Sequence, residues 1–307
     1  MFIERPLASE YSIDAILTAS QAQQFSNLLD LCFSVPANSR FLDDFPVWDP
    51  KFVKNDILRL GMFEFNQLVA CAAVRLAQLK LRTGKLIPIA MIGAVATHPR
   101  SRGKGFASKI LVKTIEWART RGADFIVLWG AEYSIYQKLG FEVCGEQIRV
   151  PLANLTFSNA RTYPIFQEWS PAIFGLLKRR DEGLLLRESD RVWFESHKNV
   201  QWFFVGSRDA PQAYAAIGRG IDMKNIIHEW GGNSAQLGAL LQFLQQKFEG
   251  LEIIGSRRSF HKAGVSVLSS TSDVFGISGY QEHLCLQKVL NPVRLPKGFW
   301  FWGLDAC

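Results

Sequence analysis

The stretch Val95-Ala-Thr-His-Pro-Arg-Ser-Arg-Gly-Lys-Gly-Phe-Ala-Ser108 runs from an apolar strand through a glycine-rich turn into a helix. That order fixes a strand end facing a helix start. The preceding run, Leu86 to Thr97, is rich in β-branched and small apolar residues and reads as a buried strand. Pro99 ends it. Gly103 and Gly105 permit a turn too tight for a Cβ, so backbone N–H groups can approach a ligand closely. From Phe106 to Arg121 the apolar residues Phe106, Ile110, Leu111, Ile115 and Ala118 recur at helical spacing, with Gly122 at the stop. A helix starting there presents unpaired N–H groups and the positive end of its dipole to an anion such as a phosphate.

Three apolar runs, 57–64, 68–79 and 86–97, come before the turn, separated by Asn66-Gln67 and Arg82-Thr-Gly-Lys85, and they predict an antiparallel meander. Beyond the helix, 124–129 reads as a short strand, and Ala131 to Phe141 as a short helix closed by Gly140. After Pro151 a similar order returns: a helix over 172–199, strands 201–206, 212–219 and 223–230, a helix 235–248 and a strand 251–255. The second turn, Glu229-Trp-Gly-Gly-Asn-Ser-Ala235, offers glycines and an Asn/Ser cap but lacks the first turn's Arg-x-x-Gly-x-Ala.

Arg-x-x-Gly-x-Ala (Arg102 to Ala107), the helix, the strand and Tyr136-x-x-x-Gly-Phe141 together resemble the GNAT acetyltransferase superfamily. More finely, Leu128 to Phe141 resembles the Ala/Ser-Glu-x-x-Ile-Tyr-x-x-Phe-Gly-Tyr run of the enhanced-intracellular-survival acetyltransferases, and Val95-Ala-Thr-His-Pro fits that group too. Those enzymes modify aminoglycosides and other amines. They carry two GNAT-like domains followed by a sterol-carrier-like domain, for which this chain is too short. The resemblance covers the two-domain core and is closest in the first domain.

The resemblance implies an α/β chain of two tandem GNAT (acyl-CoA N-acyltransferase) folds built on mixed sheets. Residues 1–150 would be an N-terminal domain with the acetyl-CoA site, and 151–307 a degenerate second domain ending in an aromatic tail. It implies an N-acetyltransferase that takes acetyl-CoA as co-substrate, needs no metal, and passes the acetyl group to an amine in a ternary complex. Gly103, Lys104, Gly105, Phe106, Ala107 and Ser108 would give amide donors to the diphosphate, with Arg102 and Lys104 adding charge. The backbone of Val95, Ala96 and Thr97 would pair with the pantetheine arm like an added strand, and an N–H where the strands splay would face the oxyanion. Tyr136 would be the general acid, since a phenol near pKa 10 suits a thiolate near roughly 8.5. Ala131 and Glu132 match cofactor-contacting positions, although Glu132 in a first helical turn also suits the helix dipole. Cys71, among small apolar residues, reads as a core thiol, so no acyl-enzyme is expected.

The base is sought elsewhere, because strand 86–97 holds no carboxylate. The chain end, Gly298-Phe-Trp-Phe-Trp-Gly-Leu-Asp-Ala-Cys307, is too aromatic to stay in water. In the resembled enzymes the terminal carboxylate acts as base. The expectation here is a tail that crosses to the first domain and brings the Cys307 carboxylate, or Asp305, near Tyr136; the alternative is an aromatic plug on the second domain. Asp43, Asp44 and Asp49 among Phe41, Phe45 and Trp48 could hold a cationic amine or form an ordinary solvated loop. An aminoglycoside-like polyamine, a protein or peptide amine and a small metabolite all stay open as acceptors. A non-catalytic acyl-CoA-binding sensor or scaffold is the alternative to an enzyme.

The net charge of +7 is spread along the chain without a long Lys/Arg run, which argues against a nucleic-acid partner. No apolar run approaches membrane-spanning length, and Met-Phe-Ile-Glu-Arg-Pro is not of signal-peptide type. Five cysteines, odd in number and without a Cys-x-x-Cys pair, argue against a disulfide framework or zinc site. A cytoplasmic enzyme is expected, its oligomeric state left open.

Overall fold

The structure is a computed structural model describing residues 11–130, 132–157, 162–220, 223–262, 266–267, 280–282, 285–290 and 299–305. Strands β1 (Tyr11–Ala15), β2 (Ile57–Glu64), β3 (Gln67–Lys80) and β4 (Leu86–Thr97) form an antiparallel meander, and β5 (Phe125–Leu128) joins β4 in parallel. Long stretches of β2 to β4 are buried at successive positions, so both faces of this sheet must be covered. Helix α1 (Ala19–Cys32) does this on one face, setting Phe25, Leu28 and Leu29 against Cys71, Ala73, Ala94 and Ala96. Helix α2 (Phe106–Thr120) covers the other, packing Ile110 on Ala70 and Ala72, and Leu111 and Ile115 on Val74 and Ile92. A short helix α3 (Tyr133–Lys138) and strand β6 (Glu142–Cys144) follow.

The second sheet repeats the order. After β7 (Gln147–Pro151) and β8 (Ile165–Phe166) come helix α4 (Pro171–Lys178), strand β9 (Gly183–Leu184) and helix α5 (Arg191–Ser196). The meander is β10 (Gln201–Gly206), β11 (Pro211–Ile217) and β12 (Ile226–Gly232), followed by helix α6 (Ser234–Lys247) and a parallel strand β13 (Glu252–Gly255). The helix expected over 172–199 is therefore two short helices. Gly183, at φ +112°, leaves helical space and pairs with Lys80 of β3, which breaks the run.

The closing strands change places. Strand β15 (Cys285–Val289) lies in the first sheet between β5 and β6, while β7 lies in the second between β13 and β14 (Tyr280–Glu282). Each sheet is thus completed by chain from the other half of the sequence. The face of the first sheet carrying Ile89, Met91, Phe125 and Val127 shares one core with Phe203, Tyr214, Leu240 and Ile253 of the second half.

The aromatic tail docks in that core, with Phe299, Trp300, Phe301 and Trp302 all buried. Its polar anchor is Asp305. Asp305 accepts from Arg180 Nη1 at 2.9 Å and from the Leu184 N–H at 3.1 Å. Arg180 also meets Glu229 at 2.6 Å, and Lys80 of β3 donates to the Arg180 carbonyl at 2.9 Å. Burial, only partly opposed by Arg180, pushes the Glu229 carboxyl up to about 8.

Removing the carboxylate takes one of Arg180's two acid partners and leaves the Leu184 N–H unpaired, so Asp305→Ala should cost about 1–3 kcal/mol in urea unfolding, whereas a loss under about 0.5 would show the anchor idle. Glu229 binds its proton more tightly folded than unfolded, where its pKa is about 4.3. Its contribution is therefore full below that value and is lost as pH rises through about 8. Glu229→Gln should flatten this part of the stability–pH curve.

Candidate active site

Parallel pairing of β4 with β5 runs from Ile89↔Phe125 to Ile92↔Leu128 and then stops. The β3–β4 register slips just beyond, between Ala73↔Gly93 and Cys71↔Ala96, and Ala94 takes φ +52°. This bulge bends β4 away from β5. From Gly93 to Thr97 the edge of β4 turned toward β5 has no strand partner among the described residues. The Thr97 hydroxyl, at the end of that edge, is buried without a hydrogen-bond partner.

Above the gap stands the glycine turn. Gly103 and Gly105 have φ +79° and +74°, values that side-chain-bearing residues rarely adopt, and a Cβ at either would meet open space. Gly105 caps α2 without a side-chain hydrogen bond, so the helix's first amides are left for an outside acceptor. Arg102 is exposed and reaches back to the Thr97 carbonyl at 3.4 Å. Lys104 lies 3.3 Å from Glu64, while Phe106 turns inward against Tyr11. His98 accepts from the Arg100 N–H, an ordinary turn role.

Tyr136 projects from α3 to the β5 side of the gap. Its ring lies against Gly130, where a Cβ would come 2.9 Å from it, and edge-on to Phe141. Its hydroxyl makes no hydrogen bond among the described residues. Burial, and secondarily the charge of Glu132, raise its pKa above the ordinary phenol value, so it is protonated at neutral pH. Glu132 is exposed at the start of α3. Val95, Ala96 and Thr97 thus lie on the β4 edge that β5 leaves unpaired, the turn from Arg102 to Ser108 follows that edge directly, and Tyr136 packs on Gly130 just past β5. Ala131 and Cys307 lie outside the described residues. Asp305 is engaged with Arg180, so it is not a free base.

Sequence reasoning missed what covers β4 where it leaves β5. Trp48 lies on Gly93 so closely that a Cβ there would come 2.7 Å from its ring. The loop bearing it is no solvated loop. Buried Arg59 donates to the carbonyls of Val47, Trp48, Asp49 and Phe52, and Asp44 accepts from Asn199 of the second half at 2.9 Å. Trp129, just past β5, meets Phe301 of the tail edge-on, with centroids 5.4 Å apart. An arginine flanked by apolar residues in strand 57–64 was the available signal for the first of these.

The second gap is closed. Parallel pairing of β12 and β13 covers only Ile226↔Glu252 and Ile227↔Ile253, but the Trp230 indole then bridges the strands, donating to the Ile254 carbonyl at 2.8 Å. Trp302 of the tail packs edge-on upon it. The Asn233 side chain caps α6 by accepting from the Ala235 N–H. Among the described residues no His/Cys/Asp/Glu group is arranged to hold a metal ion, and no helix is long and apolar enough to cross a membrane.

Residues 15–144 match the family model described as an acetyltransferase (GNAT) domain. The chain's fold is similar to that of a GCN5-related N-acetyltransferase from Kribbella flavida, at 17% identity, TM-score 0.65, and coverage of 92% of this chain and 71% of that one. A GCN5-related N-acetyltransferase from Anabaena variabilis ATCC 29413 matches at 16% identity, TM-score 0.62, and 92% and 73% coverage. Eis1 from Mycobacterium abscessus matches at 13% identity, TM-score 0.58, and 91% and 73% coverage. At such identities the likeness is one of fold, and it bears out the mixed α/β expectation. No curated protein sequence matches the chain.

Comparing wild type with Tyr136→Phe in an ultraviolet pH titration should show the missing phenol ionising above pH 10. An ionisation at or below that value would contradict its shielding.

Proposed function

We propose, for a chain whose residues 15–144 match the acetyltransferase (GNAT) domain model, that it transfers an acetyl group from acetyl-CoA to a primary amine at the β4–β5 gap. Three features that follow one another in the chain support this reading: a β4 edge that β5 leaves unpaired, uncapped amides at the start of α2, and Tyr136 packed on Gly130 just past β5. Acetyl-CoA demands all three. Its diphosphate fits the amides of Gly103 to Ser108, beside Arg102 and Lys104. Its pantetheine amides fit the free edge at Val95, Ala96 and Thr97, where the Thr97 hydroxyl also needs a partner.

In the reaction the amine nitrogen attacks the thioester carbonyl directly. The oxygen gains negative charge, and an N–H of the bulged β4 backbone stabilises it. The nitrogen, cationic after attack, loses its extra proton to solvent; as the carbon–sulfur bond breaks, Tyr136 gives its proton to the departing thiolate and is reprotonated from solvent. Burial keeps the phenol protonated, so the proton is in place when the thiolate departs. Cys71 takes no part; it is buried, and its thiol donates to the Ala94 carbonyl. The second sheet, its gap filled by Trp230, acts as scaffold.

Calorimetric titration with acetyl-CoA should give one site per chain. Gly105→Val, which forces a branched residue to φ +74° and covers the turn, should abolish it without unfolding the chain. Tyr136→Phe should retain binding and lower amine acetylation by about 10²–10⁴-fold. Binding with no turnover on any amine, or turnover untouched by Tyr136→Phe, would instead support a non-catalytic acyl-CoA sensor. Two sites per chain would overturn the assignment of the second sheet.

A further inference from the structure

Among the described residues, strand β6 meets the exchanged strand β15 through three residue pairs: Cys144↔Cys285, Val143↔Leu286 and Glu142↔Gln287. The first is a pair of cysteines directly opposite each other on antiparallel strands. Opposed residues in such a ladder have Cα atoms about 4.5–5.5 Å apart, inside the range that a disulfide spans. Their sulfurs are already 3.4 Å apart. A disulfide needs about 2.05 Å, a difference that side-chain rotation can supply without shifting either strand.

The two thiols differ in access. Cys285 is buried, whereas Cys144 is partly exposed at the sheet edge. Cys32 and Cys71, the other described cysteines, instead donate to the carbonyls of Thr97 and Ala94. The edge position also has a structural consequence. Leu286, next to Cys285, lies in the apolar cluster that holds Tyr136 and Phe141. A covalent link at this point would tie the borrowed strand to the element that follows α3.

We propose that Cys144 and Cys285 are a reversible modification site, closed into a disulfide by exchange with a low-molecular-weight disulfide. The Cys144 thiolate attacks one sulfur of that reagent, breaks its S–S bond, and releases one thiolate, leaving a mixed disulfide on Cys144. Cys285 then loses its proton to the released thiolate and attacks the Cys144 sulfur, expelling the second thiolate, which takes from solvent the proton that Cys144 gave up. Two protein S–H groups become one S–S bond, and the reagent is reduced to two thiols. The hydrogen-bonded Cys144 thiol, and secondly burial, raise the pKa of Cys285 and hold it protonated until the first step has consumed that neighbour. The entering reagent therefore meets Cys144 first.

The test uses the full reduced chain and oxidised glutathione. The five cysteines of the chain should fall to three free thiols, and a non-reducing digest should contain one linked peptide joining Cys144 to Cys285, two hydrogens lighter than its parts. Dithiothreitol should restore five thiols, and the oxidised chain should melt at a higher temperature than the reduced one. With Cys285→Ser the reaction should stop at a glutathione adduct on Cys144. Five thiols remaining, an adduct that persists on Cys144 in the wild-type chain, a link through Cys32, Cys71 or Cys307, or an unchanged melting temperature would each overturn the proposal.

Discussion

Arg180 sits where the two sheets and the aromatic tail meet. Its side chain holds Asp305 and Glu229, and its carbonyl receives Lys80 from the first sheet. A buried guanidinium is a poor source of net stability, because desolvation cancels much of the attraction. It is demanding about geometry, however, and here it allows the tail one path. With Asp305 fixed, Trp302 falls upon Trp230 and Phe301 upon Trp129, so one strip of chain fills the gap of the second sheet while walling that of the first.

The two sheets pose the same backbone problem and solve it oppositely. Where parallel strands diverge, main-chain groups lose their ladder partners and need others. In the second sheet the residues after the last parallel pair are bulky, and the Trp230 indole supplies a donor across the divergence. In the first they are Gly93, Ala94, Val95 and Ala96, which cannot reach across. The difference between scaffold and site therefore rests on side-chain size at a few positions after a shared turn of topology, reinforced by an Asn cap on one helix and a bare glycine on the other.

Much of the first sheet was legible in the sequence, because its strands are long, its turns carry glycine, and α2 keeps helical periodicity from Phe106 to Ala118. The motif around Tyr136 likewise lies where its spacing places it. The failures share one cause, which is contact distant in sequence. Apolar periodicity over 172–199 resembles one helix, but a strand pairing with Lys80, about a hundred positions away, interrupts it. The acidic loop looked solvated because Arg59 and Asn199, its fasteners, stand in other elements. Asp305 looked available as a base because nothing near it in sequence announces Arg180.

The exchange of closing strands also sets an order of assembly. Strand β5 can be paired along both edges only after residues 285–289 have left the ribosome, although β4, its other neighbour, was made far earlier. The first sheet must wait with an open flank while nearly all of the second is synthesised. An open flank is a template for any passing strand, including the same strand from another copy of the chain. At high concentration of newly made protein, the characteristic misassembly of this fold would be two molecules that have traded their last strands.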